Sequence, residues 1–425
     1  MKRLNQYKFD FFIILGFLLL PLLLFGDVTL GGKTMLPVDN LFQWQPWQSA
    51  AASLGVGAPQ NGLILDLIIE NYAWKQFARE TFLAGDIPLW NPYLFAGVPF
   101  LAAGQHSMYY PFSVLFLVLP LSAAYGWYTV SQLWLAGVLM YVYGRILGLK
   151  RSSAFLAGLT YQGGGFIVVS AAVFPMIVGA VPWLPLLLGC IEKVVQGAKS
   201  RGQGQEDNNQ QSTFNNQLLT GDTQTLTSTP ESPILWIVLG AVGLGMQILA
   251  GHIEYTIYTL LVMGLYGAWR LVRVTGWRWE GVKGGIRPFF SLSAMVLIGL
   301  MLGSLQLVPL YELADVNFRQ ESATFDDVRG YAFEERRVLT LLMPNFFGNP
   351  AHHEYRDVLN GDMVPFETNY NGQPKTNSEW GLKNYVEGGI YLGILPLFLA
   401  LLGIWTGWRS GNVRRNQALF FGGLG

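Results

Sequence analysis

Apolar positions in this chain come in long blocks divided by polar segments. A helix needs about 20 apolar residues to cross the roughly 30 Å hydrocarbon core of a bilayer. On that measure residues 9–25, 123–147, 152–172, 179–196, 233–250, 254–273, 287–310 and 386–406 each predict a span. A ninth run begins near residue 417 and is still apolar at Gly425, so we expect the chain to continue. The basic start Met1-Lys2-Arg3 is followed by no small-residue cleavage site, which predicts an uncleaved first helix. Residues 109–120 (YYPFSVLFLVLP) are apolar but too short to span, and Pro111 and Pro120 bound them as a re-entrant or interfacial helix. In the third run Gln162 precedes Gly163-Gly164-Gly165, a candidate helix break.

These blocks divide the chain into a first transmembrane helix (1–25), a first outer loop (26–108), the re-entrant helix with further spans (109–196), a cytoplasmic linker (197–232), more spans (233–310), a second outer loop (311–385) and final spans (386–425). The linker is rich in Gln, Asn, Ser, Thr and Gly and has too little apolar surface to offset chain entropy, which predicts disorder. The first outer loop holds Trp44, Trp47, Trp74 and Trp90 and should fold or lie on the membrane surface. Within it Ile64, Leu67, Ile68, Trp74, Ala78 and Phe82 have helical spacing, with Asp66, Glu70, Lys75 and Arg79 on other faces. This predicts an amphipathic helix over 64–82. Asp39 and Trp47 repeat the spacing of Asp66 and Trp74, a short internal echo.

Composition strengthens this reading. Hydrophobic residues make up 51% of the 425 positions and charged residues 13%, about half the charged fraction of a soluble domain. The fold class is therefore an all-α polytopic membrane protein of about nine transmembrane helices with two structured outer loops. With the N-terminus inside, the inner segments hold 17 of the 27 basic residues and only 7 of the 27 acids. One topology thus satisfies the positive-inside rule at every loop, with the chain multi-pass in the cell inner (plasma) membrane and its N-terminus cytoplasmic. The balanced net charge gives no sign of nucleic acid. Cys190, the one cysteine, excludes a disulfide scaffold.

Candidate chemistry collects on the expected outer face. Asp39 and Asp66 are the leading acids, each able to act as general base on an acceptor hydroxyl within hydrogen-bond reach; Asp39 equally fits a turn and helix cap, and Asp66 a solvated carboxylate. Gly85-Asp86-Ile87-Pro88-Leu89-Trp90-Asn91-Pro92-Tyr93 reads as a sugar- or lipid-facing platform built on Trp90, Asn91 and Tyr93, or as an interfacial anchor. Gln105 and His106 could bind a phosphate or a sugar hydroxyl, or form a polar collar. His252 and Glu254 occupy a short turn between spans. With His352 and His353 they make a weak metal candidate, and we assign no metal site. Gln306, Glu312 and Arg319 lie at the outer end of the seventh span, where Arg319, with Arg336 and Arg337 as rivals, suits a phosphate clamp; an acid–base network is the alternative. No nucleotide loop, paired-Cys metal motif or Gly-x-Ser-x-Gly elbow is present, and no cofactor is expected.

The block GDIPLWNPYLFAGVPFLAAGQHSMYYPFSVLFLVLP (85–120) resembles the loop of YfhO-type bacterial membrane proteins, as does NGLILDLIIENYAWKQF (61–77). Weaker echoes are LAGHIEYTIYT (249–259), LQLVPLYEL (305–313), LLMPNFFG (341–348) and YLGILPLFLALLGI (391–404). The resemblance implies a fold similar to the C-type (GT-C) membrane glycosyltransferases, a polyprenyl-phosphate sugar as donor, a cell-envelope acceptor, and an acid in the first outer loop at Asp66 or Asp39. Ala73 and Glu70 depart from the pattern, where Pro and Gln are common.

Three readings follow. The first is an inverting glycosyltransferase using Asp66 or Asp39 as base and an outer Arg on the departing lipid phosphate. The second is a transporter or lipid flippase, which calls for broken helices near the midplane. The third is a non-catalytic envelope scaffold, indifferent to loss of the outer-loop acids.

Overall fold

A computed structural model describes residues 2–57, 59, 61–207, 232–275, 279–316, 324–330, 332–349, 351, 354–356, 361–365, 385–409 and 412–424. Most of the expected linker, Arg319, His352 and His353 lie outside the described residues.

The chain is mostly helical. Helices α1 (Lys2–Gly16) and α2 (Leu19–Thr29) lead into the first loop, which contains α3 (Tyr72–Leu83). Then come α4 (Leu121–Ile146), α5 (Arg151–Gln162), α6 (Gly165–Val173), α7 (Pro175–Ala180) and α8 (Trp183–Asp207). After the linker follow α9 (Pro233–Leu249), α10 (Ile253–Thr275), α11 (Trp279–Leu302), α12 (Ser304–Asp315), α13 (Tyr385–Gly388), α14 (Ile394–Arg409) and α15 (Asn412–Leu424). Two small antiparallel sheets accompany them. β1 (Trp90–Asn91) pairs with β2 (Val98–Pro99), and β3 (Gly348–Asn349) and β5 (Met363–Pro365) flank β4 (Glu354–Arg356).

Among the described residues three helices are long and apolar enough to cross a membrane: Pro175–Gly197, Ile253–Val274 and Gly285–Leu302. Two bent pairs raise this to five, Lys8–Gly16 with Leu19–Thr29 at 42° and Arg151–Gln162 with Gly165–Val173 at 45°. The apolar runs led us to expect nine. Helices α9 and α14 are apolar but have only 17 and 16 residues. Helix α4 has 26 residues, but Tyr125, Tyr128, Ser131 and Gln132 lower its hydropathy. The expected span at 287–310 is broken at Gly303, where a Cβ would press on the Ile248 side chain of α9.

Helix α4 is the centre of the bundle, with α2, α5 and α8 packed around it. Its glycines make this close approach: a Cβ at Gly137 would overlap Gln162 and Phe17, and one at Gly144 would press on Ala154. Small residues at such contacts let helix backbones come together where lipid gives little drive for association. On the facing helix a Cβ at Gly158 would stand 2.5 Å from the Phe17 ring and 2.7 Å from the Gly137 carbonyl. Gly158→Val should therefore lower thermal stability in detergent by about 1–3 kcal/mol, the usual cost of overpacking. Gly264→Ala, which has open space around its Cβ, is the control that should leave the melting temperature within error.

Two ion pairs tie the helices together at one end. The Asp10 carboxylate accepts from Arg151 Nε at 2.9 Å and from the Tyr141 hydroxyl, joining α1, α4 and α5. Glu192 on α8 accepts from Arg270 on α10 through both oxygens, with Tyr266 and Gln196 as further donors at 2.9 and 2.6 Å. At the opposite end the loop 100–107 meets the α9–α10 turn, where Ser107 Oγ donates to the Ala250 carbonyl at 2.6 Å. The expected re-entrant segment is a 3-10 turn, Pro111–Ser113, followed by the helix Val114–Val118. Its Phe116 is fully buried against Tyr125 and Tyr128 of α4.

Candidate functional site

The expected amphipathic helix is present from residue 67 onward, but its first turn, Leu67–Asn71, is a π-helix that runs directly into α3. Such turns are rare and cluster at functional sites. Leu67, Ile68 and Ala78 are buried, as the apolar spacing predicts. Asp66, Glu70 and Trp74, four residues apart, share another face, and all three line one cavity of about 680 Å³. The π-turn adds Asn71 to that wall.

Three other segments complete the enclosure. Gly104 (φ +71°) and Gly251 (φ +92°) adopt the left-handed backbone that glycine tolerates, and a Cβ at Gly251 would collide with the Gly104 carbonyl. This contact brings Gln105 and His252 to the same wall, with Glu254 two residues further, in the first turn of α10. The break expected at Gly163–Gly165 is the bend between α5 and α6, where Gly165 N donates to the Tyr391 carbonyl at 2.6 Å. It places Phe166 in the cavity wall, stacked on Tyr255 with centroids 5.8 Å apart. Phe174 at the start of α7, Tyr258 on α10 and Val386 on α13 close the remaining sides.

Asp66, Glu70 and Glu254 are exposed among the lining residues, and no lysine or arginine lines the cavity among the described residues. Partial burial pushes the Asp66 carboxyl above its ordinary range. Glu70 is raised too, by partial burial and then by the neighbouring Asp66 charge. Burial holds the His252 imidazole below its usual pKa, against the pull of Glu254. Among the described residues that line this cavity, two buried polar side-chain atoms have no hydrogen-bond partner, Asn71 Nδ2 and His252 Nδ1. Asn71 Oδ1 is already taken by the Tyr125 hydroxyl at 2.9 Å. A second cavity of about 110 Å³ shares Gln105, His252 and Glu254 as a common wall and is closed by Gln306, Leu307 and Leu310 of α12.

Four of the residues singled out in the sequence are thus brought together: Asp66, Gln105, His252 and Glu254. Of the other described candidates, Gln306 lines the second cavity and the rest line neither. Asp39 is half-buried in the first turn of a 3-10 helix, Val38–Gln43, and does not reach the cavity. Trp90, Asn91 and Tyr93 belong to the small β1–β2 hairpin. There Asn91 is buried and its Oδ1 accepts from Tyr93 N at 3.0 Å, while Trp90 and Tyr93 are exposed. Glu312 is exposed on α12. His106 is buried and stacked on Phe100 at 4.1 Å. Its Nε2 meets the Phe100 carbonyl at 2.9 Å and its Nδ1 accepts from Met108 N at 3.1 Å. Both ring nitrogens are engaged in shaping the loop, and burial drives the imidazole pKa down to about 3. Glu70, Asn71, Trp74, Phe166 and Tyr258 are cavity residues that were not singled out in the sequence as site residues. The four-residue spacing from Asp66 was the available signal for Glu70 and Trp74; for Asn71 there was none.

Lys75 departs from expectation. Assigned from the sequence to a face other than the apolar one, it is fully buried, its ammonium donating to the His106 carbonyl at 2.5 Å and lying 4.3 Å from the centre of the Phe116 ring. Burial pulls its pKa down to about 7. A lysine whose folded pKa lies below its unfolded value binds its proton more tightly when unfolded, so stability rises with pH between those two values. The melting temperature of the wild type should climb from pH 7 toward pH 10. Lys75→Met should flatten that climb, as read by thermal unfolding in detergent across the same range.

Compared with known proteins, the chain matches no family model, no curated protein and no solved structure. Among the described residues no group of three His, Cys, Asp or Glu side chains is placed to hold a metal.

Proposed function

We propose that this chain is a polytopic membrane glycosyltransferase that moves a sugar from a polyprenyl-phosphate donor to a cell-envelope acceptor at the outer face of the plasma membrane. The observation that carries the reading is one cavity at one end of the helix bundle that gathers Asp66, Gln105, His252 and Glu254. The nine-span topology with a cytoplasmic N-terminus belongs to the same proposal and rests on the apolar runs and the charge bias.

In this reading the acceptor hydroxyl lies at Asp66. Asp66 takes its proton as the oxygen attacks the anomeric carbon, the bond from that carbon to the lipid phosphate oxygen breaks, and polyprenyl phosphate leaves. A carboxylate with a raised pKa is a better general base near neutral pH than an ordinary one. The carboxylate-rich lining disfavours a phosphate inside the cavity, so the lipid phosphate rests on basic groups outside it. Arg319, the clamp favoured from the sequence, lies outside the described residues.

A second reading, a transporter or lipid flippase, is favoured by the 45° break between α5 and α6 in the cavity wall. Membranes containing the protein and a radiolabelled polyprenyl-phosphate sugar separate the two. Label appearing covalently in envelope polymer supports transfer. Label that crosses the bilayer but stays on the lipid supports the second reading and removes the first.

A further inference from the structure

The cavity that gathers Asp66 and His252 has a chemical bias that the transferase reading does not by itself supply. Three carboxylates, Asp66, Glu70 and Glu254, line it, and among the described residues none is paired with a basic side chain. Aromatic side chains line the same cavity, Trp74 and Tyr258 among them. Carboxylates set among aromatic rings attract a cation twice over, by charge and through the negative faces of the rings. The amide of Asn71 adds an independent pointer to a ligand. The residue is only 4% exposed, lines the same cavity, and holds an Nδ2 without a partner. A buried amide donor left unmatched is costly unless something in the cavity accepts its hydrogen bond.

We propose that this cavity binds a sugar bearing a free amine, its ammonium held by the carboxylates of Asp66, Glu70 and Glu254 against the Trp74 and Tyr258 rings, and a hydroxyl oxygen accepting from Asn71 Nδ2. At about 680 Å³ the space lies within the range of small-molecule pockets and admits a group of that size. An amine answers the unpaired charge, and the ring hydroxyls answer the amide. A neutral sugar satisfies only the second, and a phosphate is repelled by the first. The inference rests on the transferase reading only in calling this ligand the acceptor.

The test is direct binding to the full chain in nanodiscs, followed by tryptophan emission during titration with glucosamine, glucose and N-acetylglucosamine. Glucosamine should bind about tenfold more tightly than either neutral sugar, the size expected of a partly desolvated cation–π and carboxylate contact. The preference should shrink between low and high salt in the wild type, since exposed charges are screened, and should disappear in Asp66→Asn/Glu70→Gln. Equal binding of the three sugars, binding of none, preference for N-acetylglucosamine, or a preference indifferent to salt overturns the inference. The salt titration needs no variant, so it stands even where the double variant fails to fold. Transfer of a labelled sugar without amine preference sinks this inference alone; amine preference in a protein that transfers nothing sinks the transferase reading alone.

Discussion

Replacing Arg270 by Met is expected to destabilise the protein by about 3–5 kcal/mol, the usual cost of stripping one partner from a buried ion pair. Glu192 is almost fully buried, and its carboxylate is satisfied through both oxygens by Arg270, with Tyr266 and Gln196 as auxiliary donors. Losing the guanidinium leaves a charge in a low-dielectric setting with only neutral donors. The pair is not thereby a large net gain. Desolvating both ions offsets much of their attraction, so Glu192→Leu/Arg270→Met should recover most of the loss. The comparison of the two variants by thermal unfolding in one detergent decides the matter. Equal destabilisation of single and double variants would mean that the contact of the Arg270 guanidinium with the Trp269 ring, and not its pair with Glu192, accounts for the loss.

The sequence made the helical architecture and part of the site legible, for reasons that differ by residue. Leu67, Ile68 and Ala78 announced a buried helix face because helical period survives any tertiary context. Gly163-Gly164-Gly165 announced a bend because three flexible residues weaken a helix wherever they occur. Lys75 could not be read this way. Its charge assigns it to water, and contacts distant in sequence, the His106 carbonyl and the Phe116 and Tyr128 rings, make its burial tolerable. The internal echo of Asp39 with Trp47 and Asp66 with Trp74 gave two equivalent acids. The fold separates them because only the second stands at the start of a π-turn that leads into a helix, where it shares a cavity with the α9–α10 turn. Loop contacts such as Gly104 against Gly251 join segments about 150 residues apart and leave no periodic trace.

Asp66→Asn is expected to lower transfer by about 10²–10⁴-fold, the usual contribution of a positioned general base. Asn preserves the size and hydrogen-bonding capacity of the side chain but cannot take a proton at neutral pH. The loss should therefore fall mainly on kcat, with any rise in KM for the acceptor limited to the share of ammonium binding that Asp66 supplies beside Glu70 and Glu254. Asp39→Asn should leave transfer near the wild-type rate, because Asp39 lies outside the cavity. The pH profile supplies a readout that a merely structural role would not move. The base works only when ionised, and partial burial raises its pKa, so wild-type transfer should rise with pH through an acid limb lying above the ordinary aspartate range. That limb should be missing from the residual activity of Asp66→Asn. The folding linkage follows from the same shift. A carboxyl raised in the folded state binds its proton more tightly there, so its own titration favours the fold on acidification. Buried His106 and His252, held below their usual pKa, act in the opposite direction, so thermal unfolding followed over the same pH range separates loss of the base from loss of the fold. Full transfer by Asp66→Asn, or an acid limb unchanged in that variant, would remove Asp66 from the reaction and leave the cavity as a binding site only.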